Sequence, residues 1–227
     1  MPRARDLLAV LVVPERCLHC RAPAARAGAL LCDGCRRALP WLGVGGCARC
    51  GLPGPCPPGR CPARGAAFRA AWAPLAYEGP ARSLALAGKE RAARRVASWF
   101  AAAMTARAPA RVTGSVQAVV PVPADPVRGR RRGEDHARLL AVAVAAALDV
   151  PCLPVLARPR AAVAQHHQSR AGRRRVPRPV LVAPPPDRVL LVDDVHTTGA
   201  TLRAAAAVLH DGGARRVTAL TALRTLR

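Results

Sequence analysis

The run V-L-L-V-D-D-V-H-T-T-G-A-T, residues 189–201, constrains the fold of this 227-residue chain more than any other stretch. Val189, Leu190, Leu191 and Val192 form a short apolar run without polar alternation, the pattern of a strand buried on both faces of a parallel sheet. The run ends in two adjacent carboxylates, Asp193 and Asp194. Thr197, Thr198, Gly199, Ala200 and Thr201 follow, and then an Ala-rich helical stretch that stops near Gly212 and Gly213. Strand, acidic pair, hydroxyl-rich turn and helix in this order make an α/β unit.

The order also has a chemical use. A turn opening a helix exposes consecutive backbone N–H groups, and Gly199 removes the Cβ that would keep a ligand away. Those donors and the helix dipole suit a phosphate, with the hydroxyls of Thr197, Thr198 and Thr201 adding contacts. Asp193 and Asp194 are poor phosphate ligands but good acceptors for hydroxyls, such as those of a ribose whose 5′-phosphate sits in the turn. The stretch is not a P-loop, lacking G-x-x-x-x-G-K, nor a dinucleotide fingerprint, lacking G-x-G-x-x-G. The bland alternative is an ordinary strand–turn–helix junction with two solvated aspartates.

Eight of the nine cysteines fall between positions 17 and 61. Cys17-x-x-Cys20, Cys32-x-x-Cys35 and Cys47-x-x-Cys50 repeat one spacing, and Cys56 with Cys61 makes a looser fourth pair. Two intervening residues let one turn of backbone present two sulfurs to one ion, and tetrahedral Zn²⁺ takes two such turns. Sequential pairing puts the first four cysteines on one zinc and the next four on another, with free thiols as the alternative for the second group. Pro53, Pro55, Pro57 and Pro58 indicate a loop-rich module with little core of its own, which metal would stabilise. The lone Cys152 reads as a small core residue.

Charge narrows the partners. Thirty-six basic against 13 acidic residues give a net +23, and Lys89 is the single lysine. An excess of this size favours a polyanionic partner, phosphate or nucleic acid, over a neutral one. No apolar run reaches the length of a membrane span. The segment Leu7 to Val13 is short and runs directly into Pro14 and a cysteine pair, so it reads as a packing helix rather than a leader. A reducing, cytoplasmic setting then fits metal-ligating cysteines better than disulfides.

Near Gly65 the composition changes from Cys/Pro/Gly to Ala/Arg/Val, which places a boundary between residues 1–64 and 65–227. Beyond it the pattern predicts a strand over 68–77, at an edge because of Pro74, and one helix over 82–107 with Val96, Trp99, Phe100 and Met104 on its apolar face. A buried strand over 116–121 runs into Pro121-Val122-Pro123, on the same side of a parallel sheet as the turn after Asp194. Arg128, Arg130, Arg131 and Arg132 follow it and can neutralise a pyrophosphate. A helix over 134–148, a strand over 152–156 and a last strand over 216–225 complete the body. The Arg-, Gln- and His-rich stretch 158–179 has the length of a lid, or of a basic linker. His166 and His167 within it have no carboxylate to pair with, so no catalytic role is assigned to them.

The whole order resembles the competence protein F (ComF) family, a cysteine-pair zinc ribbon joined to a type I phosphoribosyltransferase-like domain. The residues that carry the resemblance are the cysteine pairs, Pro121-Val122-Pro123, Arg131-Arg132-Gly133, Gln168-Ser169-Arg170 and the 189–201 signature, which is similar to the D-D/E-x-x-T-T-G-x-T motif for phosphoribosyl pyrophosphate (PRPP). The resemblance implies a parallel sheet flanked by helices and a PRPP site on Asp193, Asp194, Thr197, Thr198, Gly199, Ala200 and Thr201. It also implies Mg²⁺ accompanying PRPP, and a role in uptake of single-stranded DNA together with other competence proteins. One departure stands out. Where the family has Arg-Gly-Phe-Asn-Gln-Ala, this chain has Arg132-Gly133-Glu134-Asp135-His136-Ala137, which puts two acids near a site for polyanions.

Three functions stay open at this point. The first is transfer of a phosphoribosyl group to an acceptor the sequence does not identify. The second is a single-stranded DNA-binding protein that keeps the sugar-phosphate pocket as a sensor; with few aromatics for stacking, its binding would be electrostatic and salt-dependent. The third is a protein-docking zinc module on a catalytically silent domain.

Overall fold

The computed structural model describes residues 16–24, 28–88, 92–124, 135–159 and 178–226. At its centre lies a parallel sheet made of β1 (Phe68–Trp72), β2 (Leu75–Ala76), β3 (Ala118–Pro121), β6 (Arg188–His196) and β7 (Arg216–Arg224). The strand order is β1-β7-β6-β3, with β2 continuing beside β7. Two short strands, β4 (Leu156–Ala157) and β5 (Val180–Leu181), form a separate antiparallel ribbon.

The apolar runs explain the order. Leu190, Leu191, Val192, Leu220 and Val120 are all fully buried, as expected of strands covered on both sides. One sheet face turns Val119, Leu190, Val192, Leu220 and Ala222 toward the helices α2 (Gly79–Ala87), α3 (Ala93–Arg107) and α5 (His136–Ala147). The other turns Val120, Leu191, Val217 and Ala219 toward α6 (Ala200–Asp211). Period-two alternation along β6 thus feeds two apolar layers at once. Two one-turn helices, α1 (Asp33–Arg37) and α4 (Ala110–Thr113), add Cys35 and Val112 to the first of these layers. The fold is therefore α/β, a mainly parallel sheet flanked by helices, with a cysteine-rich region attached. No helix among the described residues is long and apolar enough to cross a membrane.

Several expected elements have different limits. The strand over 68–77 is broken into β1 and β2 at Pro74, whose carbonyl accepts from the Leu42 N–H at 2.7 Å, and β1 lies at the sheet edge. The helix expected over 82–107 is two helices, α2 and α3. They meet at Gly88, where a Cβ would come within 2.9 Å of Val96 Cγ1, so tight crossing of the two segments replaces a continuous helix. The strand over 152–156 reduces to a single parallel bridge from Cys152 to Val119, and Leu156 belongs to the ribbon instead. The strand expected to end at Val192 continues to His196, because Asp193, Val195 and His196 remain in register with Thr221, Leu223 and Arg224 of β7. The segment 7–13, Lys89, Arg128, Arg130, His166, His167 and Gln168-Ser169-Arg170 lie outside the described residues.

Candidate functional site

Local backbone brings each set of four cysteines together. In the first, a turn closes from the Arg21 N–H to the Cys17 carbonyl at 3.0 Å, and Cys32 sits at the start of α1 with Cys35 one turn on. The four sulfurs of Cys17, Cys20, Cys32 and Cys35 lie within 4.8 Å of one another. In the second, the Gly51 N–H donates to the Cys47 carbonyl at 2.9 Å, and the sulfurs of Cys47, Cys50, Cys56 and Cys61 gather equally closely. Gly51 has φ +72, and a Cβ there would stand 2.7 Å from the Ala71 carbonyl oxygen, so only glycine closes this turn against β1.

The spacings fit zinc. A tetrahedral ion with Zn–S of about 2.3 Å sets its sulfurs about 3.8 Å apart. Cys20–Cys32 is 3.7 Å, Cys47–Cys61 is 3.9 Å and Cys50–Cys56 is 3.4 Å. Both groups are thus suited to structural zinc in the sequential pairing, including the looser Cys56–Cys61 pair. The acidities agree. Burial pushes the Cys35 and Cys50 thiols up, and the neighbouring sulfurs add to it. Burial acts upward on Cys17 and Cys47 too, yet N–H groups of Cys20, Cys32 and His19 in one case, and of Cys50 and Arg49 in the other, bring each down to about 6. Four sulfurs this close carry four negative charges only around a cation.

The third cluster is the turn after β6. Asp193 and Asp194 are the sixth and seventh residues of that strand, partly buried, with the Asp194 N–H donating to Asp193 Oδ1 at 2.9 Å. Burial raises the Asp193 carboxyl well above the usual range; the charge of Asp194 adds to this, the Asp194 N–H opposes it, and Asp135 adds a smaller upward push. Thr197 and Thr198 are exposed, Gly199 is the N-cap of α6 at φ 77, and Thr201 lies in its first turn. The glycine answers to the protein's own interior: a Cβ on Gly199 would come within 2.7 Å of His196 Nε2. His196 is buried, and its imidazole is held neutral, lowered to about 3 by burial and then by Arg224 and Arg203.

The remaining expected residues divide. Pro121 pairs with Val192, and the Val122 N–H donates to the Val192 carbonyl at 2.9 Å, so the Pro121-Val122-Pro123 segment leaves the sheet beside the acidic pair. The Pro123 carbonyl accepts from Arg158 Nε at 3.1 Å. Arg131 and Arg132 lie outside the described residues. Asp135 caps α5, accepting from the Arg138 N–H at 3.2 Å, a contact that stabilises by about 1 kcal/mol. Its neighbour His136 lines an apolar recess with Asp194, Phe100, Leu140 and Leu223.

Sequence reasoning missed two groups beside the turn. Arg224, at the last residue of β7, is 3% exposed and donates through Nη1 to the carbonyls of His196 at 3.2 Å and Thr197 at 3.0 Å. With Pro62, Tyr77, Thr197, Thr198 and Thr225 it lines a cavity of about 460 Å³. Arg203 of α6 donates to the Pro62 carbonyl, next to Cys61. The available signal was an arginine, Arg224, closing the strand run R-V-T-A-L-T-A-L-R, but its partner across the sheet is not local. Comparison of the sequence with protein-family models gives no match, and comparison with curated proteins gives none.

Proposed function

We propose that the chain is a ComF-like, PRPP-binding protein of the type I phosphoribosyltransferase kind. The observation that supports it most is the meeting, at the end of one buried strand, of an acidic pair and a turn whose Gly199 opens a twelve-residue helix. Residues 197–201 take the 5′-phosphate through backbone N–H groups, threonine hydroxyls and the helix dipole. Asp193 and Asp194 hold the ribose hydroxyls; a raised Asp193 carboxyl donates as well as accepts, which suits a pair of hydroxyls. The segment 121–123 borders the pyrophosphate side, and Arg131 and Arg132, outside the described residues, are the arginines whose charge would neutralise that group. Mg²⁺, entering with the pyrophosphate, would supply charge neutralisation to that group. Positive charge developing at the anomeric carbon meets the acids of β6.

Transfer to an acceptor is tested by following pyrophosphate release from PRPP and Mg²⁺ with candidate acceptor bases. Release well above that of the Asp193→Asn/Asp194→Asn double variant is expected. Equal release removes the enzymatic part of the proposal and leaves binding.

A second reading, single-stranded nucleic-acid binding, is favoured by a groove of about 450 Å³ between the first cysteine group and α3. Arg36, Arg94, Arg95 and Trp99 line it, with Arg36 already paired to Asp33, Arg95 bonded to the Gly28 carbonyl and Trp99 against Trp41 and Phe100, so that three guanidinium groups and one indole border the groove. Affinity for an oligonucleotide should fall steeply with salt. A flat response counts against phosphate contacts.

A further inference from the structure

Arg224 lines one cavity with Pro62, the neighbour of Cys61, and with Thr197 and Thr198 of the turn after β6. Arg224 has almost no exposed surface, and among the described residues no carboxylate pairs with it. Its Nε has no hydrogen-bond partner among the described residues, and neither does the hydroxyl of the adjacent Thr225. A guanidinium so placed needs a counter-charge. Zn²⁺ with four thiolates carries −2, and the thiolates of Cys50, Cys56 and Cys61 are the groups that favour the charged form of Arg224 against its burial. On its other side the guanidinium grips the turn through the carbonyls of His196 and Thr197. In a trans peptide the C=O and the following N–H point in opposite directions. Holding those two carbonyls therefore turns the N–H groups of Thr197 and Thr198 away from the guanidinium and frees them for an anion. A second tie runs in parallel, from Arg203 in the first turn of α6 to the Pro62 carbonyl beside Cys61.

We infer that Arg224 is a positioning residue through which the second tetrathiolate site, but not the first, sets the conformation of the turn at residues 196–199. Loss of the second ion removes the counter-charge from Arg224, loosens its hold on both carbonyls and lets the turn's amides reorient. The first site has no such route among the described residues: its cysteines share an apolar cluster with Leu84 and Phe100 on the opposite face of the sheet.

The consequence for ligand affinity rests on the PRPP reading; the coupling does not. Hydrogen exchange of peptides covering 196–201 is therefore measured first, without ligand, on the full zinc-loaded chain, Arg224→Met, Cys56→Ser and Cys20→Ser, with zinc content determined for each. Arg224→Met and Cys56→Ser should speed exchange in this turn at least tenfold, while Cys20→Ser leaves it within twofold. Unchanged exchange in Arg224→Met with both ions retained, or equal acceleration in Cys20→Ser, overturns the inference. If Arg224→Met does not fold, the Cys56→Ser and Cys20→Ser pair decides, since both keep Arg224. PRPP titration of the same proteins then separates the two readings: a turn that responds in a wild-type chain without PRPP affinity keeps the coupling and removes the PRPP reading.

Discussion

Two cysteine groups of the same ligand chemistry occupy opposite faces of one sheet, and their surroundings differ completely. The first shares its apolar cluster with Trp72, Leu84 and Phe100, and touches α2 through His19 Nδ1 and Ser83 Oγ at 2.9 Å. The second shares its cluster with Leu191, Leu202 and Leu209, and is tied by Arg203 to the helix that follows the candidate phosphate turn. Two like sets of four cysteines thus lie against a flank of the sheet in one case and beside the candidate site in the other.

The comparison can be broken most directly by removing metal. Structural zinc contributes on the order of 10 kcal/mol per site to a small loop-rich module. Chelation should therefore unfold residues 16–66 while circular dichroism of the sheet and helices largely persists, with two ions released per chain. Release of about one ion would restrict zinc to a single group.

Core truncations come next in size. Leu202 and Leu84 are both essentially buried, one on each face, and Leu→Ala at either should cost about 2–5 kcal/mol in a denaturant melt. Only Leu202→Ala should also speed exchange in residues 196–201. Equal acceleration by Leu84→Ala would mean that the two faces are not independent.

Gly199→Ala tests the turn itself. It forces a Cβ at φ 77 toward His196 Nε2, 2.7 Å away, and the left-handed backbone alone costs about 1–2 kcal/mol. A melt should show that loss, and ligand titration should show a weakened site. An unchanged melt would mean that the His196 ring is not packed beneath the turn.

His196 supplies a pH dependence specific to this side of the molecule. Its folded value of about 3 lies below its ordinary 6.5, so the unfolded chain takes up this proton first. Its contribution is therefore fully present above pH 6.5 and is lost as pH falls toward about 3, at about 1.4 kcal/mol per pH unit. Asp193 acts in the opposite sense: with a raised value, it costs stability as pH rises above 3.8. Comparing melts of the wild type and His196→Gln between pH 5 and 7 isolates the histidine. Parallel curves would contradict its buried, neutral state.

These contrasts also mark what could be read from the chain. The strand core at 189–192, the acidic pair, the glycine before α6, and the cysteine pairs in sequential order were all legible, because each depends on near neighbours in sequence. The extension of β6 to His196 was not, since its residues stay in the strand through pairing with β7, about 28 positions away. Nor was the break at Gly88, which depends on Val96 crossing above it rather than on helix propensity. Arg224 illustrates the general reason: as a residue it reads as a charged strand end, and only the register opposite His196 buries it beneath the turn. The assignment of each cysteine group to a face was hidden for the same cause.

The smallest effect concerns Asp135. Asp135→Ala should cost about 1 kcal/mol by uncapping α5, and should bring the Asp193 carboxyl down by removing a like charge. Carboxyl titration by NMR checks the second part; an unmoved Asp193 would mean that Asp135 does not reach the acidic pair.

We propose that the end of β6 and the turn after it hold a phosphorylated ribose. The most direct test is calorimetry of the zinc-loaded chain with PRPP and Mg²⁺, repeated on Asp193→Asn/Asp194→Asn. One site per chain, competed by ribose 5-phosphate and at least tenfold weaker in the double variant, is the expected result. No heat from the wild type, or equal affinity in the variant, would contradict it.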